Sequence, residues 1–123
     1  MSENIQNVRS GENTWLWLLK IATGALLVIL LGIHLVVNHF IGENGLLTYA
    51  DVVAYYQNPI IPVMEICFLA AVVTHSTLGI RGILLDLKPS RETLKVMDAV
   101  LTVIGVSAVV YGIWLVTVIV SKG

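Results

Sequence analysis

Long apolar runs without a charged residue are the feature that most restricts the fold of this chain. Residues 21–42 and 99–121 each supply about 22 residues without Asp, Glu, Lys or Arg. At 1.5 Å per helical residue, such a run crosses a hydrocarbon core of roughly 30 Å. A third run, residues 60–87, is apolar except for four side chains (Glu65, His75, Arg81 and Asp86). The sequence therefore predicts an all-α integral membrane protein, with an N-terminal segment over residues 1–14 and three transmembrane helices over residues 15–123.

The distribution of basic residues predicts the orientation in the membrane. Lys and Arg precede the first helix and cluster around the link between the second and third, whereas residues 43–59 contain neither. By the positive-inside rule, the N-terminus and the second link face the cytoplasm, and the C-terminus faces out. Residues 1–14 are polar and lack the pattern of a cleaved signal peptide, so we expect the first helix to be retained in a multi-pass protein of the cell (inner) membrane. In the outer link, Leu47, Val52, Val53 and Tyr56 predict a short amphipathic helix at the surface.

Composition excludes several classes of function. Hydrophobic residues make up 57% of the chain and charged residues 12%, which is unlike a soluble domain. No basic stripe predicts a nucleic-acid partner. Cys67 is the single cysteine, so a disulfide framework is excluded. The sequence contains no nucleophile with a base, nucleotide-binding loop or iron–sulfur cysteine set, and we expect no catalytic residue of its own.

A histidine in the second helix is the strongest candidate for chemistry. At 100° per residue, His75, Gly79, Gly82 and Asp86 fall on one stripe, with His75 about 18 Å from the cytoplasmic end of the helix. The two glycines leave a groove without side chains next to the imidazole, and Arg81 lies lower on the helix. A flat apolar ligand with acidic groups, such as haem b, fits this pattern. A proton carrier and an interhelical hydrogen bond fit an intramembrane histidine as well.

Several motifs resemble the cytochrome b membrane-anchor subunits of succinate dehydrogenase. HSTLGIRGILLD, starting at His75, is similar to that family's His-x3-Gly-[Ile/Leu/Val]-Arg-x4-Asp pattern. Lys20–Gly24 resembles, with one inserted residue, the Arg-x-Ser-Gly start of the family's first helix. GIHLVVNHF resembles the histidine-containing end of the same helix. The outer link, with Tyr49, Val52 and Asn58-Pro59, resembles the D-type subunit more than the C-type.

The resemblance implies roles for individual residues. It makes His75 an axial ligand of haem b, paired with a histidine from a sister anchor subunit, and places Arg81 near the propionates or the quinone. Thr23 and Asp86 fall at positions that the resemblance associates with the quinone. Where D-type chains have a quinone-binding tyrosine after the aspartate, this sequence has Leu87, which has no hydrogen to donate.

The first helix raises the question of a second haem. His34 lies at a depth where two-haem members of the family supply a second axial ligand; packing or hydrogen bonding between helices is the alternative. His39 is predicted to lie at the interface. Glu65 fits either the outer head-group region or a proton-carrying role, and we favour the head-group position.

The resemblance predicts a haem b-binding membrane anchor of succinate dehydrogenase, with one haem or two. Such a chain attaches a flavoprotein subunit and an iron–sulfur subunit to the membrane and contributes to quinone reduction. Two alternatives stay open, which are a fumarate reductase anchor and a haem-free three-helix scaffold or assembly subunit. The number of haems, the quinone type and the direction of the reaction are not determined by the sequence.

Overall fold

A computed structural model describes residues 13–40 and 47–123. Within these ranges the chain forms four helices: α1 Thr14–Phe40, α2 Tyr49–Tyr55, α3 Ile60–Asp86 and α4 Arg91–Val120. The helices α1, α3 and α4 contain 27, 27 and 30 residues and are long and apolar enough to cross a membrane. The all-α architecture with three membrane-spanning helices is confirmed. Most of the predicted N-terminal segment, including Arg9, lies outside the described residues.

Local sequence explains where the helices begin and end. The short α2 begins with a capping box in which Thr48 and Asp51 exchange hydrogen bonds, and it confirms the predicted amphipathic helix of the outer link. Pro62 stands in the first turn of α3, where its missing N–H removes no helical hydrogen bond. The third transmembrane helix, α4, begins at Arg91 because the Ser90 hydroxyl caps it by accepting a hydrogen bond from the Thr93 amide.

The hairpin between α3 and α4 is tight. Lys88 adopts a left-handed backbone conformation with φ of 51°, and its amide donates to the Leu85 carbonyl at 2.9 Å. Pro89 follows immediately and cannot continue the helix. The chain therefore reverses over residues 87–90, and α4 packs back along α3.

The helix α3 is the centre of the bundle, with α1 packed on one side and α4 on the other. Glycines on α4 allow a close approach: a Cβ atom at Gly105 would lie 3.3 Å from both Thr77 Oγ1 and Val73 Cγ1, and one at Gly112 would overlap the Leu69 side chain. Ala71 of α3 is among the few fully buried residues, while large apolar side chains along all three helices are exposed. Such surfaces are typical of helices covered by lipid and by neighbouring subunits.

Candidate functional site

His75 faces α1, where the backbone carbonyl of Lys20 accepts its hydrogen bond. The Nδ1 atom of the imidazole lies 3.0 Å from the Lys20 carbonyl oxygen and 3.4 Å from Thr23 Oγ1. A carbonyl oxygen only accepts, so Nδ1 carries the proton of this bond. In a neutral imidazole the lone pair is then on Nε2. The contact with α1 thus selects the tautomer of His75.

The Nε2 atom of His75 is not completely buried. Both hydrogen bonds made by this ring within the described residues involve Nδ1. No fully buried side-chain nitrogen or oxygen in the described part of the chain lacks a hydrogen-bond partner, so Nε2 keeps some exposure. An accessible nitrogen with a lone pair is the form in which histidine coordinates iron.

The two glycines of the stripe below His75, Gly79 and Gly82, have different surroundings. A Cβ atom at Gly79 would meet no heavy atom of the described residues within 4 Å. At Gly82, the nearest atom to such a Cβ would be Lys20 Nζ at 3.5 Å. The groove is therefore open beside Gly79, and the Lys20 ammonium group lies beside Gly82. Sequence reasoning assigned Lys20 no part in the site, although its spacing from Thr23 and Gly24 (i, i+3 and i+4) places the three residues on one face of α1.

Arg81 is directed toward α4 rather than toward His75. Its Nε atom donates to Asp98 Oδ1 at 2.7 Å, and its Nη2 atom donates to Asp98 Oδ2 at 3.2 Å. The arginine side chain is 15% exposed and the aspartate side chain 40% exposed. This two-point ion pair links α3 to α4 toward the end of the bundle where the hairpin between these helices lies.

Asp86 ends α3, and Leu87 follows it with an exposed side chain. Neither residue is brought next to His75, which lies eleven residues earlier on the same helix, about 16 Å along its axis. The predicted contact between Asp86 and a quinone stays a prediction.

A second polar cluster lies nearer the outer ends of the helices. His34 Nδ1 is 3.1 Å from Glu65 Oε1, which also accepts a hydrogen bond from the Tyr55 hydroxyl at 3.3 Å. The His34 ring stacks on Phe68 with centroids 5.1 Å apart. The Glu65 side chain is 12% exposed and turns into the bundle toward His34 and Tyr55, while its predicted depth at the outer head groups stays a prediction. We name His34, Glu65 and Tyr55 the outer cluster.

Tyr55 enters the outer cluster from α2, and its role was not predicted. Burial, and then the negative charge of Glu65, raise the pKa of the Tyr55 hydroxyl well above its usual value. The hydroxyl therefore stays protonated at neutral pH and remains a donor to the carboxylate. The predicted amphipathic helix of the outer link was the available signal; it named Tyr56, which is buried, but not Tyr55, which reaches Glu65.

The two histidines are separate sites. His34 follows Thr23 by eleven residues on α1, and Glu65 precedes His75 by ten on α3, so the sites lie about 16 Å apart along the bundle. In the described residues, no three His, Cys, Asp or Glu side chains converge on a metal-sized position. Each site thus offers one imidazole. His39, on the last turn of α1, is exposed, in keeping with its predicted interfacial position.

Comparison with known proteins gives a consistent result. A family model described as the succinate dehydrogenase/fumarate reductase transmembrane subunit matches residues 1–119. The succinate dehydrogenase hydrophobic membrane anchor subunit of Archaeoglobus fulgidus is 31% identical over 99 residues, which cover 80% of this chain and 84% of the relative. No solved structure matches the chain.

Proposed function

The chain belongs to the succinate dehydrogenase/fumarate reductase transmembrane-subunit family, and from this premise we propose that it is an anchor subunit that binds haem b through His75. Membership makes it a multi-pass membrane subunit that associates with the other subunits of its complex. The proposal adds the cofactor, the residues that hold it and a contribution to quinone reduction.

The hydrogen bond from His75 Nδ1 to the Lys20 carbonyl carries the proposal. Histidines that bind a metal commonly donate their second ring N–H to a carbonyl or carboxylate, which fixes the tautomer and makes the coordinating nitrogen a better electron donor. His75 has this arrangement, with Nδ1 bonded at 3.0 Å and Nε2 not completely buried. An imidazole that served only to join two helices would be satisfied by the same bond, but it would not need a partly exposed Nε2 beside an open stripe at Gly79.

The residues around His75 fit the other requirements of haem b. The missing side chain of Gly79 leaves room for a planar macrocycle, and the Lys20 ammonium group beside Gly82 would supply positive charge to a propionate. Arg81 is the second cation on this half of α3, with Asp98 as its partner. When bound, haem b supplies a one-electron acceptor site within the membrane. The second axial imidazole would come from a sister anchor subunit.

Quinone contact is proposed at the cytoplasmic end of α3, where Asp86 matches the family's pattern; Thr23, which the resemblance also associates with the quinone, lies beside His75 instead. Leu87 cannot donate a hydrogen bond, so the donor to the quinone comes from another residue or another subunit. The basic hairpin residues Lys88, Arg91 and Lys95 lie on the side where we place the iron–sulfur and flavoprotein subunits. The resemblance of the outer link favours the D-type role over the C-type.

The outer cluster favours a second haem ligated by His34. When His34 is the neutral donor to the Glu65 carboxylate, its Nδ1–H is bonded to Oε1 and the lone pair is on Nε2, as at His75. Phe68, stacked on the ring, holds its orientation. The same hydrogen-bond direction at both histidines supports a complex with two haems, of which this chain supplies one ligand to each.

Haem content of the purified complex tests the proposal. We expect b-type bands in the reduced-minus-oxidised spectrum and, by pyridine haemochrome, two haems per complex; one haem would leave His34 structural. His75→Ala should lose one haem or change its ligation, and His34→Ala should affect the other. His39→Ala is the matched control, since this histidine is exposed at the end of α1. An intact complex without haem would support a haem-free scaffold. If the complex reduced fumarate with quinol faster than it oxidised succinate with quinone, the fumarate reductase alternative would be supported.

A further inference from the structure

We propose that Thr23 and Gly24 of α1 are positioning residues that hold the His75 imidazole in the orientation and tautomer that iron requires. This inference rests on the proposed haem function and assigns to Thr23 a role through His75 rather than through the quinone. A positioning role for α1 is independent of which subunit supplies the second axial ligand.

The Thr23 hydroxyl is fixed by the backbone of its own helix. Thr23 is buried, and its Oγ1 atom lies 2.8 Å from the Leu19 carbonyl oxygen and 3.1 Å from the Lys20 carbonyl oxygen. A hydroxyl has one hydrogen to donate, and the shorter bond to Leu19 takes it. The lone pairs of Oγ1 are then available to the Nδ1–H of His75 at 3.4 Å. The proton on Nδ1 is thus shared between the Lys20 carbonyl and the Thr23 hydroxyl.

Gly24 permits the close approach on which these bonds depend. A Cβ atom at position 24 would lie 3.0 Å from Cε1 and 3.4 Å from Nδ1 of His75. Carbon atoms in favourable contact are about 3.5–4.0 Å apart, so even alanine would push the ring away from α1. Such a shift would lengthen the bond from Nδ1 to Lys20 and move Nε2 with the ring.

The expected consequence is electronic as well as steric. Each acceptor on Nδ1–H increases electron donation from Nε2 to the metal, which stabilises the ferric state and lowers the reduction potential. Removing the Thr23 oxygen should therefore raise the midpoint potential of the haem without removing its ligand. Displacing the ring should weaken the iron–imidazole bond itself.

The test uses the whole complex purified from membranes, with matched variants of this chain. Thr23→Val removes the hydroxyl and keeps the shape, Thr23→Ser restores the hydroxyl, and Thr117→Val is the control because the Thr117 hydroxyl donates to a carbonyl of its own helix far from His75. Gly24→Ala is paired with Gly32→Ala, where a new Cβ would meet nothing within 4 Å of the described residues. The readouts are the midpoint potential, the ferric EPR spectrum and carbon monoxide binding to the ferrous haem.

We expect Thr23→Val to raise the midpoint potential and Thr23→Ser to return it toward the wild-type value. We expect Gly24→Ala to make part of the ferrous haem bind carbon monoxide, as a five-coordinate iron does, while both controls behave as wild type. Wild-type haem content with all variants matching their controls would overturn the positioning role and leave haem binding in place.

Two other outcomes separate the alternatives. A raised KM for quinone in Thr23→Val with an unchanged potential would overturn the positioning role and return Thr23 to the quinone site. Absence of haem from the wild-type complex would refute the proposed function, and the positioning role with it. Failure of Gly24→Ala to assemble would leave the decision to the threonine variants.

Discussion

At the scale of single residues, the direction of a hydrogen bond decides what each histidine can do. A backbone carbonyl at 3.0 Å places the proton of His75 on Nδ1, and a carboxylate at 3.1 Å does the same for His34. Both rings, when neutral, therefore keep a basic nitrogen on the side away from their partner. Within α3, Arg81 and Glu65 are each paired with a residue of a flanking helix, so neither enters the membrane as an isolated charge.

The ion pair between Arg81 and Asp98 gives a stability prediction. Arg81→Gln leaves the Asp98 carboxylate without its two-point partner, and we expect a loss of about 1–2 kcal/mol. The double variant with Asp98→Asn should recover part of the loss, because the unpaired charge is then removed. Lys95→Gln is the control, since the Lys95–Glu92 pair is largely exposed and should contribute little. Thermal unfolding of the purified complex measures each change, and equal effects of Arg81→Gln and Lys95→Gln would contradict the prediction.

Tyr55 gives a prediction about alkaline pH. Its folded-state pKa is raised, so the folded chain keeps the phenolic proton that the unfolded chain releases near pH 10. The Tyr55 contribution to stability is therefore fully present below about pH 10 and is lost as the pH rises above it. Melting temperatures measured from about pH 8.5 to 11 should fall more steeply for wild type than for Tyr55→Phe. Tyr49→Phe, at an exposed position of α2, should follow the wild-type curve; a Tyr55→Phe curve parallel to wild type would refute the assignment.

At the scale of helices, polar contacts and glycines hold the bundle together. Lipid is as apolar as leucine, so helices in a membrane associate through close packing and hydrogen bonds rather than through the hydrophobic effect. The contacts from His75 to Lys20 and from Glu65 to His34 join α3 to α1, and Arg81 joins α3 to α4. Gly105 and Gly112 bring the backbone of α4 against side chains of α3.

Gly105 gives the prediction at this scale. In Gly105→Val the Cβ atom would lie 3.3 Å from Thr77 Oγ1 and from Val73 Cγ1, and the two methyl groups need still more room. Both neighbours are β-branched and cannot easily change rotamer in a helix. We expect a loss of about 1–3 kcal/mol from overpacking, measured by thermal unfolding. Gly32→Val, at an open position of α1, should have little effect, and comparable destabilisation by both variants would contradict this account.

The sequence indicated these elements more reliably than their contacts. Apolar runs long enough to span the membrane predicted α1, α3 and α4. The partner of Arg81 could not be read from the sequence, because it depends on how α4 is rotated against α3. The inward turn of Glu65 and the entry of Tyr55 from α2 depend on helix rotation in the same way.

At the scale of the whole molecule, the central position of α3 leaves much of the chain exposed. With α1 and α4 packed on opposite sides of α3, large apolar side chains face outward along every membrane helix. An anchor subunit of a larger complex needs such surfaces, since lipid and the other subunits cover them. The Nε2 of His75 keeps some exposure on this chain, where a cofactor shared with a neighbouring subunit could be reached.

Membrane orientation is a testable property of the whole chain. With Cys67→Ala as background, a cysteine introduced by Glu92→Cys should react with an impermeant maleimide only in inverted vesicles, and one introduced by Lys122→Cys only in intact cells. The basic residues of the hairpin and their absence from residues 43–59 are the physical reason. Both positions should react after detergent solubilisation, which is the control. The reverse labelling pattern would overturn the predicted orientation.

The sequence by itself determined the class of this protein and its three membrane spans, and it indicated His75 as the candidate site. The length of an apolar run is a local property of the sequence. An ionisable side chain within such a run can also be recognised directly from the sequence. The tertiary structure decided which partners these side chains have: the Lys20 carbonyl and Thr23 for His75, Glu65 for His34, and Asp98 for Arg81. Those pairings join residues 17 to 55 positions apart in the chain. They depend on the rotation and depth of packed helices, which the apolar pattern of one helix does not specify.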